Sequence, residues 1–364
     1  MTRPRVSAVI AAYNARAYVQ QAVDSLRAQA GVDLEVVVVD DGSTDGTLEV
    51  LQRLSDADSR VRVFPRCHAG VISALNLGAA QARAEYLAWL GADDVALPGR
   101  LVRQVTYLDA NPRVAAVGGD VVAVDSAHGR QLAVCYPASA ARVRNALRES
   151  NPLAAPAVTM RADVYRQLGG CRAAFANGAE DYDLWLRMAE RYDLANLSAP
   201  VVRYRVHADQ ASRRRAQEVV LGTVAARLSA ALRARRRPDP FDAGHHVTYD
   251  MLRAAQPDRH VVDSMILEAA AGASMFQLLM GHHAEALRLL TWAEEVGRGV
   301  PLARRARARA HLVRAAAAWS TRRLDRASLE GAAALASHPA VVAALCASAL
   351  RMLVGNVVGR RASD

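Results

Sequence analysis

Lysine is absent from this 364-residue chain, so all 46 basic side chains are arginine. With the heavy alanine content, that usage reflects a high-GC coding sequence more than a mechanism. Cysteine is scarce: Cys67, Cys135, Cys171 and Cys346 share no paired spacing. This argues against a zinc site and a disulfide framework, and fits free thiols in a reducing compartment. No run of about twenty apolar residues is free of charge, so no membrane span is expected. The segment Val341 to Val358 comes nearest, but Arg351 and Asn356 interrupt it, which predicts a buried helix. The amino terminus runs almost directly into a strand pattern, so no signal peptide is expected.

What is present is a 52% hydrophobic fraction, ample for a core, on a length for which two domains are natural. A net charge of +10 suits an acidic partner: a nucleotide diphosphate, an anionic membrane face or nucleic acid. Much of that charge lies beyond residue 212.

The most informative stretch runs from Val36 to Thr47. Val36, Val37, Val38 and Val39 suit a strand buried on both faces, as in a parallel sheet. Asp40 and Asp41 then stand at its carboxyl end, where open α/β sheets bind ligands. Gly42 and Ser43 make a turn, and Thr44 or Asp45 can cap the next helix. Val6 to Asn14 repeats the arrangement, a buried strand with a polar end. Tyr18, Ala22 and Leu26 mark the helix between the two. A right-handed crossover puts both polar ends on one sheet edge.

The alternation continues. Leu48, Leu51 and Leu54 predict a helix, Val61 to Phe64 a strand, Leu75 to Ala84 a helix and Tyr86 to Leu90 a strand. The last of these ends at Gly91-Ala92-Asp93-Asp94. Beyond Pro98, Leu101, Val105 and Leu108 mark another helix. Val114 to Val124 reads as a strand broken at Gly118-Gly119. From residue 213 the texture changes to Ala/Leu/Arg helices. Arg213-Arg214-Arg215 and Arg235-Arg236-Arg237 flank one of them. Segments such as Ala284 to Val296 and Ala303 to Trp319 read as antiparallel helix pairs, with no firm repeat period.

Five motifs in this order resemble the family 2 glycosyltransferases, which have the GT-A fold. They are Ala12-Tyr13-Asn14; Val39-Asp40-Asp41-Gly42-Ser43-Thr44-Asp45; Ala69 to Gly78; Glu85 to Asp94; and Glu180-Asp181-Tyr182-Asp183-Leu184-Trp185-Leu186-Arg187. Short acidic strings are common singly, and the order and spacing make the signal specific. The resemblance covers roughly residues 3 to 212. It implies an α/β domain of GT-A type over 1–212, with a central, mostly parallel sheet. An Arg/Ala-rich all-α region over 213–364 follows.

The resemblance implies transfer of a sugar from a nucleotide-diphospho-sugar, a UDP-sugar being favoured, to a glycan, lipid-linked or polysaccharide acceptor hydroxyl. Ala12, Tyr13, Asn14, Asp40, Asp41, Arg66, Asn76 and Asp93 are the expected donor contacts. Asp93 and Asp94, with His207, are the expected ligands of a divalent cation, Mn2+ or Mg2+; hard cations take oxygen ligands and neutralise a leaving diphosphate. The family often has an acid where this chain has Gly91. Asp181 is the expected general base with Glu180 in support, and one base opposite the leaving group implies inversion. Pro152 to Met160 would face the acceptor.

Other readings stand beside these. Asp45 reads as a turn and cap residue. Glu180, Asp181 and Asp183 could serve only as helix caps favoured by the dipole, and Trp89 and Trp185 as core. A nucleotidyltransferase shares the strand-end logic but would show a glycine-rich basic loop, whereas Ala11 to Ala17 offers only Arg16. A non-catalytic sugar-nucleotide-binding or scaffolding protein, its helical region recruiting partners, gains some weight from Gly91 and would gain far more from loss of Asp181, which is present. The chain is expected in the cytoplasm, with peripheral membrane or homo-oligomer contacts through the helical tail and no nucleic-acid partner.

Overall fold

The computed structural model describes residues 3–320 except 126, 128, 177, 244–245 and 301–302, together with 330–331 and 333–334. The expected helix from Val341 to Val358, and Cys346, lie outside the described residues. The chain packs as two compact units. The first takes in residues up to Val124, Ala133–Val206 and Ser229–His246; the second takes in Asp125–Leu132, His207–Leu228 and the chain from Val247 on.

The first unit opens with β1 (Val6–Ala12), α1 (Val19–Arg27), β2 (Leu34–Asp40), α2 (Thr47–Ala57), β3 (Val61–Pro65), α3 (Val71–Gln81) and β4 (Tyr86–Trp89). All seven residues of β2 are buried, as four consecutive valines require. Strands β1, β2, β3 and β4 are mutually parallel, with Ala12 beside Asp40 and Asp40 beside Pro65 in the register. Their carboxyl ends therefore share one edge. The stripe Val19, Ala22, Val23 and Leu26 buries α1 against this sheet.

The sheet continues through β5 (Val95–Ala96), β6 (Val114–Asp125), β7 (Arg130–Val134), β8 (Thr159–Arg161) and β9 (Asp193–Arg205). The order is β3-β2-β1-β4-β8-β6-β9-β5, with β7 on β6. Strand β8 runs antiparallel between β4 and β6, β9 is parallel to β6, and β5 is antiparallel to β9. The result is a mixed but mostly parallel sheet. Helices α4 (Arg100–Ala110), α5 (Ala140–Ala146), α6 (Ala162–Gln167) and α7 (Glu180–Met188) complete the α/β part.

Two expectations shift. Strand β6 does not break at Gly118-Gly119; it runs on, and its pairing with β9 slips between Gly119 and Val121. A bulge absorbs the irregularity without ending the ladder. Helix α3 begins at Val71, because Gly70 (φ 89°) turns the chain into it, and stops at Gln81. Strands β5, β8 and β9 have no counterpart in the sequence patterns. Two are only two and three residues long, and β9 carries Pro200 with interrupted burial.

Helices α8 (Ala211–Arg214) and α9 (Ala216–Ala234) follow β9, and then α10 (Tyr249–Ala255), α11 (Arg259–Leu279), α12 (His283–Val296) and α13 (Arg304–Ser320). Ala271, Met275, Ala286, Leu290, Ala306, Ala310 and Val313 form the core of the last three. Small alanines let these helices approach closely. Asp258 caps α11 by accepting from His260 N–H at 2.9 Å. Within the same unit, buried His282 faces Asp125 at 2.7 Å and Gln277 at 2.9 Å. Helix α11 alone among the described helices has the length and apolar content to cross a membrane, and it spends Val262, Ile266, Leu267 and Ala270 on burial within the protein.

Candidate functional site

The edge where β1, β2 and β4 end is stitched by polar contacts between successive loops. Asp41 N–H donates to Ala12 O at 2.8 Å. Asn14 sits at φ 48°, a conformation Asn tolerates better than most residues. There its Oδ1 accepts from Thr44 N–H at 2.8 Å and its own N–H donates to Ser43 Oγ at 3.0 Å. Asp45 accepts from the amides of Arg16 and Thr47 and from the Thr47 hydroxyl. Asp45 is thus a turn-fixing residue one position before the Gly46 cap of α2.

The two adjacent aspartates have different surroundings. Asp41 accepts from Ala69 N–H (3.0 Å) and Gly70 N–H (2.8 Å), and faces His68 Nδ1 at 2.9 Å and Arg66 Nε at 3.4 Å. It clamps the 66–70 loop onto the end of β2. Asp40 accepts only from Ser43 N–H through Oδ2, leaving a buried Oδ1 unpaired. A buried acceptor of that kind is costly unless something donates to it. Tyr13 is 49% exposed, so it projects from the edge instead of packing in the core. Its ring stacks on His68, centroids 4.2 Å apart. Arg66 lies along the same loop and donates to Ser73 Oγ at 2.7 Å. Asn76 is turned elsewhere: both its polar atoms bond the Cys171 backbone, and Oδ1 also accepts from Tyr165 OH. It tethers α3 to the chain around residue 171.

Asp93 and Asp94 follow β4. A Cβ built on Gly91 would lie 2.5 Å from Asp94 Oδ2 and 2.8 Å from Asp93 Oδ1. Both carboxylates therefore fold in over the glycine, into the space an acid at 91 would fill. Burial first, and the Asp93 charge second, push Asp94 well above the usual carboxylate range. Two opposing supports come from Arg205, whose N–H donates to Asp94 Oδ1 at 2.8 Å and whose Nε donates to Asp93 O at 2.8 Å. Fully buried Arg100 bonds Trp89 O and Gln104. Burial pushes its guanidinium down to about 9 while Asp94 draws it up, so it stays cationic at neutral pH. The donor chemistry, two convergent carboxylate oxygens of like charge, fits a hard divalent cation. Among the described residues no three His, Cys, Asp or Glu side chains are arranged to hold a metal ion. His207 belongs to the second unit.

Glu180 and Asp181 open α7 and stand with Asp183 in its first turn. Asp181 is half-buried; its Oδ2 accepts from Asn151 Nδ2 at 2.8 Å. Burial raises its proton affinity while hydrogen bonds from Asn151 and the Tyr182 amide oppose this. Burial and the neighbouring Asp181 charge push Glu180 up to about 8. Burial first, then the charges of Asp181 and Asp120, push the Tyr136 phenol up. Asp183 points the other way, fully buried between Arg172 and Arg187. Trp185 and Trp89 pack in the core with ring centroids 5.6 Å apart. Their contact packs α7 against the end of β4.

Asn151, Tyr136, His68, Arg100 and Arg205 are the neighbours that sequence patterns did not single out. Asn151, His68 and Arg205 lie 30, 27 and 111 residues from the carboxylates they bond. Arg100 follows Asp94 by six positions, and an arginine before an amphipathic helix reads as a solvated cap.

Comparison with known proteins agrees with this geometry. The family model for glycosyl transferase family 2 matches residues 7–167. An uncharacterized glycosyltransferase of Haemophilus influenzae is 31% identical over 218 residues, 57% of this chain and 68% of that protein. Among solved structures, a mannosyltransferase from Pyrobaculum calidifontis in complex with GDP-Man and Mn2+ superposes with a TM-score of 0.52 at 21% identity, covering 94% of this chain and 88% of the other. Staphylococcus aureus TarS 1-349 in complex with UDP-GlcNAc gives 0.52 at 14% identity, covering 90% of each. At those identities the two structures speak for the fold, which is GT-A, and the sequence relatives for the family: the chain belongs to glycosyl transferase family 2.

Proposed function

We propose that this glycosyltransferase moves a sugar from a nucleotide-diphospho-sugar to an acceptor hydroxyl with inversion, Asp181 acting as general base. The observation that carries the reading is the set of three acidic chain ends in one unit. Asp40 and Asp41 end β2, Asp93 and Asp94 follow β4, and Glu180 and Asp181 open α7, which packs on β4 through Trp185 and Trp89.

The base and ribose would lie against the β1 and β2 ends. Tyr13, stacked on His68, offers a flat face, and the unpaired Asp40 Oδ1 accepts from a ribose or base N–H or O–H. Asp93 and Asp94 would hold a divalent cation, which supplies charge neutralisation for the leaving diphosphate. Arg205 fixes that pair in place and Arg100 supplies a buried positive charge next to it. Asp181, steered by Asn151, withdraws the proton of the acceptor hydroxyl as that oxygen attacks the anomeric carbon. Its raised proton affinity suits this role. A single displacement opposite the leaving group inverts the configuration.

The acceptor is proposed to be a glycan, a lipid-linked saccharide or a polysaccharide precursor. The enzyme is proposed to work in the cytoplasm or at the inner face of the membrane, with residues 213–364 serving association. GDP-Man and UDP-GlcNAc, bound in the two solved neighbours, are the first donors to try, with other UDP-sugars next. Calorimetric titration of each donor with and without manganese tests the donor reading. A cation-dependent hit, followed by NMR of the product's anomeric proton, is expected to show inversion. Retention of configuration, or equal donor binding without any divalent cation, would overturn the scheme.

A further inference from the structure

Arg172 lies eight residues before Glu180 and is the hub of a polar cluster in the first unit. One side of its guanidinium grips the fully buried carboxylate of Asp183, with Nε 3.0 Å from Oδ2 and Nη2 in short contact with Oδ1. Arg187 Nε meets the same carboxylate at 2.9 Å and carries two backbone carbonyls, Leu168 O and Gly170 O. Asp183 therefore anchors the first turn of α7 to the segment that leads into it.

The other side of Arg172 reaches a distant part of the chain. Nη1 bonds Asp239 Oδ2 at 2.8 Å and Asp242 Oδ1 at 2.5 Å, and Nη2 bonds Ser229 Oγ at 2.7 Å. Arg233 ties Asp239 to Glu190, just past the end of α7, with contacts of 3.2 and 2.6 Å. Phe241 is buried beside Phe175, centroids 6.1 Å apart, and Arg172 lies over the Phe175 ring. Residues 229–242 thus hold α7 at both its ends, although they lie well past the family match at 167.

We infer that Ser229–Asp242 is a brace for the acidic helix and that Arg172 is a positioning residue for Asp181. A carboxylate that must reach one acceptor hydroxyl is sensitive to placement, and an ångström of misplacement can cost on the order of 10²-fold in rate. Asp183 sits two residues from Asp181, within one helical turn, so slack at Asp183 moves the base. Asp40 and Asp41 bond Ser43 and the 66–70 loop, not this cluster. The inference rests on the reading of Asp181 as base, and its test separates the two.

The experiment measures transfer kinetics and calorimetric donor affinity for Asp239→Asn, Arg172→Gln and Asp242→Asn in the full-length enzyme. Asp181→Asn and the Asp181→Asn/Asp239→Asn double variant complete the set. Asp239→Asn is expected to lower kcat about tenfold or more with donor KM and affinity within about twofold. Exposed Asp242 should matter less. If the brace acts through Asp181, the double variant is no slower than Asp181→Asn alone. Should Arg172→Gln fail to fold, Asp239→Asn, which keeps shape and removes only charge, decides the matter. Wild-type kcat in folded Asp239→Asn, or full additivity in the double variant, overturns the brace. Normal transfer by Asp181→Asn with a slow Asp239→Asn overturns the base assignment instead.

Discussion

In the proposed scheme Asp94 and Asp181 divide the chemistry between them, and each has a variant that isolates its part. Asp94→Ala removes one of two protein carboxylates beside the diphosphate, and it should abolish the manganese-dependent share of donor binding in a calorimeter. Unchanged affinity would remove Asp94 from the cation site. Asp181→Asn keeps nearly the same shape and the Asn151 contact but cannot take a proton. Its donor affinity should stay near wild type while turnover falls on the order of 10² or more, and turnover at the parental rate would place the base elsewhere. Glu180 gives a stability signature. Its folded carboxyl is pushed up to about 8 from an ordinary 4.5, so between those values the folded state binds more protons than the unfolded state. Stability should therefore fall as pH rises through that window. Because Glu180 is only half-buried the effect is discounted to roughly 2 kcal/mol or less. Thermal melts of Glu180→Gln between pH 5 and 8 should be flatter than wild type; parallel melts would mean the Glu180 environment does not perturb it.

At the level of elements, the edge works because loops from different strands lock one another. Gly42 shows how tightly. It sits at φ +77°, and a Cβ there would be 2.7 Å from His68 N. Gly42→Ala therefore combines left-handed strain with a backbone clash, and should cost about 1–3 kcal/mol in urea unfolding. The loop it displaces carries His68 and the Ala69 and Gly70 amides, so donor affinity should weaken as well. A variant with wild-type stability and donor affinity would show that the 66–70 loop is free to move and takes no part in the site.

For the whole molecule, the arginine count of the carboxyl-terminal helices matters most. Residues 213–364, apart from the Ser229–Asp242 brace, are proposed to mediate association. If they bind an anionic surface, salt should weaken the binding, because exposed charges are screened over roughly 8 Å at physiological ionic strength. If they pair two copies through apolar faces, salt should have little effect. Flotation with anionic vesicles at low and high salt, beside light scattering, distinguishes the outcomes. Neither flotation nor a mass above the monomer would end the association proposal.

The strand-and-acid pattern of the first ninety residues was legible because burial on both faces demands unbroken β-branched runs, and polar residues mark where such strands end. That local logic determined β1, β2 and β4, their common edge, and the positions of Asp40, Asp41, Asp93 and Asp94 on it. It also determined that α7 begins at an acidic pair and that the chain turns helical after residue 213. It could not decide which carboxylates are spent inside the protein. Asp41 and Asp183 look as available in sequence as Asp40 and Asp181, yet each is held by several partners that the sequence does not reveal. Strands β8 and β9 were equally hidden, because one is three residues long and the other carries a proline, and each is held by pairing with distant strands. Only the folded chain brings Asn151 to Asp181, Arg205 to Asp94 and Asp239 to Arg172, since hydrogen-bond partners 30, 111 and 67 residues apart leave no periodic trace in a sequence.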